Sequence, residues 1–380
     1  MKGKTASAGI GQTEFSKQSG RSELQLAAEA SLAAIRDAGL SSADIDGMVT
    51  FTIDSNNEID LMRALGMREL RWTARTPFGG GGASATVQLA AAAVAAGAAN
   101  AVLVYRAFNE RSGRRFGQPG GSYGVVESGR DFYRCYGLDT PAKVYALWYQ
   151  RYLQKYGVTS EDLGRYVVTA RRHAATNPKA WYYGRPITLE DHQQSRWIVE
   201  PVLRLLDCCQ ESDGGVALVV TSLERARDLA QPVVRIVAAG QAHEPTSQIM
   251  YDYYRDDLAE FDDARALSRA LWRQSGLQPA DIDVAMIYEN FSPVVLMGLE
   301  GFGFCGPGEA KDFIRDGHIE LTGSLPLNPH GGLLGEGYIH GVNNILEGVR
   351  QLRGTAANQV TDARHALVAA GRSGLILGQD

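Results

Sequence analysis

The stretch Gly39-Leu40-Ser41-Ser42-Ala43-Asp44-Ile45-Asp46 returns far downstream as Gly276-Leu277-Gln278-Pro279-Ala280-Asp281-Ile282-Asp283. What surrounds the two octets repeats as well. Before the first, Arg21 to Gly39 carries Leu24, Leu26, Ala27, Ala30, Leu32 and Ile35 near helical spacing and closes on a glycine suited to a helix end. After it, Met48-Val49-Thr50-Phe51 reads as a strand. Before the second octet, Ala264 to Ser275 reads as a helix, and Val284 to Tyr288 follows as a strand. The same octet at the same place in two helix–turn–strand units indicates a duplicated chain.

A second correspondence extends the repeat. Gly79 to Gly82 opens an Ala-rich helix ending near Gly97, and the strand Ala101-Val102-Leu103-Val104 follows. Downstream, Gly331-Gly332 is expected to open a helix running to about Leu352, with Ala366-Leu367-Val368-Ala369 as the next strand. Alternating strands and helices make each half a layered α/β unit. Residues 1–230 form the N-terminal half and 231–380 the C-terminal half. Val216 to Val220 closes the first, and Val233 to Val237 is the first strand of the second. Between them lies a long excursion, residues 109–211, rich in Tyr, Arg and Gly. It reads as a cap over the site, since excursions of that length usually serve function.

Composition bounds the function class. The chain has 380 residues, 44% hydrophobic and 21% charged, with a net charge of -5. That balance suits a globular protein and argues against nucleic-acid binding, which calls for a basic field. Four cysteines (Cys135, Cys208, Cys209, Cys305) have no CxxC spacing, so neither a zinc ribbon nor a disulfide framework is expected. A reducing, cytoplasmic location follows. Residues Met1 to Lys4 lead into small polar residues without the apolar core of a secretory signal. The longest apolar run, Leu89 to Tyr105, is broken by Gly97 and Asn100, so no membrane span is expected.

Most familiar motifs fail. Ser84 stands where GxGxxG needs its last glycine, and Thr86 where GxSxG does. The glycine run therefore reads as a tight turn that lets another part of the backbone come close. The histidines are dispersed and form no HExxH, so no metal site is expected. Two segments remain. In Met286-Ile287-Tyr288-Glu289-Asn290-Phe291-Ser292 a buried strand runs into polar residues, the place where ligands gather in α/β sheets. In Asn328-Pro329-His330-Gly331-Gly332-Leu333-Leu334-Gly335-Glu336-Gly337-Tyr338-Ile339-His340-Gly341 dense glycines and polar side chains suit a site better than a core.

These segments resemble the thiolase superfamily, nearly from end to end. Gly331-Gly332 match a glycine pair of that family, and Tyr338 falls where its catalytic histidine belongs. Tyr288-Glu289-Asn290-Phe291 lies over the His-Asp-Cys-Phe of sterol-carrier-protein-type thiolases, so Tyr288 replaces a second histidine. The nucleophilic cysteine belongs at about Gly80 and the second cysteine around Ala369 to Gly371; both are absent. Without a thiolate no acyl-enzyme is expected. Tyr105 to Gly113, Leu206 to Glu211 and Phe302 to Gly306 are similar to one branch, the lipid-transfer-protein-type steroid side-chain aldolases of actinobacteria.

That resemblance implies an αβαβα layered fold and retro-aldol cleavage of a 17-hydroxy steroid with a C20-carboxyl-CoA side chain, giving androstenedione and propionyl-CoA. It implies a homodimer working with a DUF35 partner, an OB-fold with a zinc ribbon that belongs to the preceding hydratase. No cofactor is expected in this chain; CoA is part of the substrate, and zinc is expected only in the partner. Such cleavage needs a base at the hydroxyl and an acid at the thioester enolate. Tyr288 is assigned as base and Tyr338 as acid, with the reverse split open. A tyrosine base requires either a lowered pKa or a hydrogen-bonded relay. Glu289, Asn290, His330, Gly332, His340 and Gly80 are the supporting or substrate-binding set. Two alternatives stand beside this reading: a non-catalytic acyl-CoA-binding scaffold, and an aldolase for a different CoA-thioester side chain.

Overall fold

Both octets fold the same way, as 3-10 turns at Ser42–Asp44 and Pro279–Asp281. The Asp44 carboxylate accepts the Ser41 amide at 2.9 Å, and that of Asp281 accepts the Gln278 amide at 2.8 Å. The last aspartate of each octet ties down the start of a strand. Asp46 accepts the amides of Asn100 and Ala101 at 2.8 and 3.0 Å. Asp283 accepts those of Arg364 and His365, both at 2.8 Å. In each half the octet thus ties its turn to the strand that begins at Ala101 or at His365.

The structure is a computed structural model that describes residues 3–77, 79–118, 133–245, 247, 250 and 253–380. Its strands are β1 (Thr5–Gln12), β2 (Gly47–Phe51), β3 (Trp72–Thr76), β4 (Ala101–Asn109), β5 (Trp197–Val199), β6 (Leu203–Arg204), β7 (Asp213–Ser222), β8 (Val234–Gln241), β9 (Val284–Ile287), β10 (His365–Ala369) and β11 (Ser373–Gln379). β5 and β6 pair with each other, and the other strands run in the order β3-β2-β4-β7-β1-β8-β11-β10-β9. From β1 outward the sequence of neighbours is β7, β4, β2; from β8 outward it is β11, β10, β9. Directions match too: β7 is antiparallel to β1 and β4, and β11 to β8 and β10. β2 is parallel to β4, as β9 is to β10. The two sets meet where β1 pairs with β8 at Ala6 and Ser7.

Three apolar cores build the αβαβα stack. The helix Glu23–Asp37 buries Leu26, Ala30 and Ile35 against Tyr105, Ala217 and Val219 on one outer face. The helices Ala83–Ala95 and Val342–Arg353 lie between the two sets of strands, where Val87, Ala90, Ile345 and Val349 share a core with Val102, Val216, Val368 and Leu375. The helix Asp262–Ser275 covers the other outer face through Leu267 and Leu271. That last core also takes in Tyr149, Tyr152 and Tyr166 from the excursion's helices Pro141–Tyr156 and Ser160–Thr176. The cap is therefore packed on the second half, though residues 119–132 of it lie outside the described residues. It is also pinned by polar contacts. Asp207 meets His192 Nε2 at 3.0 Å and accepts the Ser292 hydroxyl at 2.5 Å, with all three residues buried.

One expectation is corrected. The helix predicted from Gly331 to Leu352 is broken: a single turn at Gly332–Gly335 ends, and the long helix begins only at Val342. His340 and Gly341 have φ of 51° and 76°, left-handed backbone that cannot continue a right-handed helix. Hydrophobic periodicity does not register such a break. It matters, because Tyr338 and His340 lie in it.

Candidate active site

Tyr288 is the first residue past β9, at the carboxyl end of the strand, and its amide donates to the Ala369 carbonyl at 2.8 Å. Tyr338 enters from the break between the two helical segments, where its amide reaches the Ser212 hydroxyl at 3.3 Å. The two phenol oxygens are 2.8 Å apart, a hydrogen bond joining residues from two separate segments of the second half. Both rings line a cavity of about 600 Å³ walled by the two halves and the cap.

The expected glycine turn supplies the floor beneath Tyr288. Gly80 to Gly82 is a 3-10 turn leading into the helix Ala83–Ala95. A Cβ on Gly80 would stand 2.0 Å from Cε2 of Tyr288. The close approach is made by an aromatic ring rather than by backbone. No L side chain fits at residue 80 while Tyr288 is in place.

Of the supporting set, Asn290, His340 and Gly80 line the cavity with the tyrosines. Glu289, His330 and Gly332 are not among the residues lining it. Glu289 is fully buried and accepts the Leu333 amide at 2.7 Å. His330 meets Asn344 Oδ1 at 3.1 Å. Gly332 leaves room for Glu289, whose Oε1 would lie 1.6 Å from a Cβ there. Glu289, next to Tyr288 at the end of the strand, points to the opposite side and braces the loop from behind.

Electrostatics decides what the pair can do. Burial pushes both phenols well above their ordinary pKa of 10, so neither is a ready phenolate. Burial likewise raises Glu289 to about 8 and lowers His330 to about 4. The cavity thiol Cys209 is also pushed well up by burial, which keeps it a thiol. Of the two routes to a tyrosine base, burial opposes a lowered pKa, while the hydrogen bond between the phenols is the contact a relay requires.

Sequence reasoning missed several residues of the site. Glu110, at the end of β4, is 2% exposed, lines the cavity and is raised well above its usual range by burial. Arg106 sits within strand β4, apolar in its other residues from Ala101 to Phe108, donates to Asp54 Oδ2 at 2.7 Å, and reaches His340 Nδ1 at 3.1 Å. A lone arginine in a buried strand was the available signal, since such a charge must be paired. Among the described residues no group of three or more His, Cys, Asp or Glu is arranged to hold a metal.

Comparison with known proteins now decides the family. Residues 245–377 match the family described as thiolase C-terminal domain-like. The chain is 56% identical to the 17-hydroxy-3-oxo-4-pregnene-20-carboxyl-CoA lyase of Mycobacterium tuberculosis, covering 100% of both. It is 55% identical to a steroid side-chain-cleaving aldolase of Thermomonospora curvata, over 100% of this chain and 99% of that one. The chain belongs to the steroid side-chain-cleaving aldolases. A solved structure, the Ltp2-ChsH2(DUF35) aldolase, superposes on it with a TM-score of 0.95 at 55% identity, covering 100% of this chain and 98% of that chain. The chain is thus a carbon–carbon lyase on a thiolase-like fold. No helix among the described residues is long and apolar enough to cross a membrane.

Proposed function

We propose that the chain cleaves the side chain of 17-hydroxy-3-oxo-4-pregnene-20-carboxyl-CoA to androstenedione and propionyl-CoA, with Tyr288 and Tyr338 as the proton-transfer pair. The observation that carries this reading is the 2.8 Å bond between the two phenols on the cavity wall. The hydroxyl proton passes to Tyr288 Oη while the proton of Tyr288 passes to Tyr338 Oη. The C17–C20 bond breaks, its electrons enter the thioester enolate, and C17 becomes a ketone. In the same step Tyr338 gives its own proton to C20, so neither phenol oxygen ever carries two protons. One proton leaves oxygen and one arrives at carbon, so a neutral pair suffices and no phenolate has to form. Phenols held protonated by burial suit such a relay.

The reading extends to the assembly: a homodimer in the cytoplasm, working with a DUF35 partner that carries the zinc, and with no cofactor of its own. The likeness to the Ltp2-ChsH2(DUF35) aldolase supports the partner. The test is to mix the purified chain and a DUF35 partner with the 17-hydroxy C20-carboxyl-CoA steroid and follow propionyl-CoA by mass spectrometry. Release of propionyl-CoA is expected. Binding without release would mean a scaffold, and cleavage only of another side chain would move the substrate.

A further inference from the structure

A retro-aldol step also needs a donor on the thioester oxygen, because that oxygen gains the charge when the enolate forms. The tyrosine pair is committed to the proton path, so the donor must be another group on the same wall. His340 meets each requirement. Its ring lines the cavity and stands 5.3 Å from the Tyr338 ring. It is fixed from behind: Arg106 Nε donates to His340 Nδ1 at 3.1 Å, and Asp54 holds Arg106 at 2.7 Å. All three side chains are buried.

This chain determines which nitrogen carries the proton. A guanidinium only donates, so Nδ1 must be the acceptor. Burial and the adjacent Arg106 charge keep the imidazole neutral. Its one hydrogen therefore sits on Nε2. That atom has no hydrogen-bond partner among the described residues and lies beside the glycine turn, 3.3 Å from where a Cβ on Gly79 would be. The ring is also stacked on Phe108 at 5.0 Å, and its backbone holds the left-handed φ of 51°.

We propose that His340 Nε2–H is the donor that holds the thioester oxygen as it becomes the enolate oxygen, with Arg106 and Asp54 as positioning residues behind it. The assignment rests on the cleavage reaction proposed above. It uses an N–H whose direction is set before substrate arrives, the condition under which such donors stabilise a developing charge most.

The test uses the full chain with its DUF35 partner. His340→Ala lowers kcat by about 10²- to 10³-fold, with KM changed much less. His340→Gln, which keeps an N–H near the Nε2 position, recovers most of that loss; a residue needed only for packing would not be rescued in this way. Propionyl-CoA labelled with ¹³C at its carbonyl provides a measurement without any variant: bound to the wild-type enzyme, its C=O stretch falls below the frequency in water. A wild-type enzyme that cleaves while folded His340→Ala cleaves equally well overturns the His340 assignment alone, as does an unshifted stretch. Absence of cleavage by the wild type overturns both proposals.

Discussion

A side chain at residue 80 and the ring of Tyr288 exclude one another: a Cβ on Gly80 would stand 2.0 Å from Tyr288 Cε2. The glycine at residue 80 and the tyrosine at residue 288 are therefore one structural choice rather than two. A cysteine at that turn would have to displace the aromatic ring that the relay uses.

Gly80→Ala and Gly80→Cys are accordingly expected to disturb the Tyr288–Tyr338 bond and lower turnover about a hundredfold, at a cost of about 1–3 kcal/mol in stability from overpacking. Intact-protein mass spectrometry of Gly80→Cys after incubation with propionyl-CoA is expected to show no added acyl group. An acylated Gly80→Cys enzyme with wild-type cleavage would contradict the exclusion.

The neutral relay has a pH signature. Both phenols are raised well above 10 in the fold, so the protonated form persists past the usual tyrosine range. kcat is expected to stay level between about pH 7 and pH 9 and to fall only as the pair begins to ionise above that. A phenolate base would instead give a kcat that climbs with pH through the same window. Stopped-time assays across that range separate the two.

Arg106 is 1% exposed and its charge is matched by Asp54. Asp54→Ala strands that charge, and the loss of stability is expected at about 3–5 kcal/mol, read from the denaturation midpoint. A surface pair makes the contrast: removing Glu69 beside Arg71, both exposed, is expected to change stability by less than about 1 kcal/mol. Equal small effects at both places would mean Asp54 is not the partner that Arg106 requires.

How far the site was legible depended on the range of the interactions. The octets could be read because their aspartates cap turns within a few residues, and the same chemistry recurs in both halves. Tyr288 and Tyr338 stood out through resemblance, at positions where histidines belong. Glu289 and His330 were grouped with them by proximity in sequence, yet the alternation of a strand end and the left-handed glycines turn their side chains behind the wall. The Asp54–Arg106–His340 chain joins three distant segments; the lone arginine in a buried strand signals that a partner exists, but no local pattern says which residues it meets. The broken helix escaped for a related reason: its residues are all buried, and burial alone does not show where the backbone changes hand.

The central claim is that Tyr288 and Tyr338 act as one proton-transfer unit. Propionyl-CoA release by the assembled enzyme, measured for wild type, Tyr288→Phe, Tyr338→Phe and the double variant, tests it most directly. Each single change is expected to lower kcat by about a hundredfold or more. The double variant is expected to fall little further, because removing either phenol already breaks the relay. A folded double variant with near-normal turnover would contradict the account.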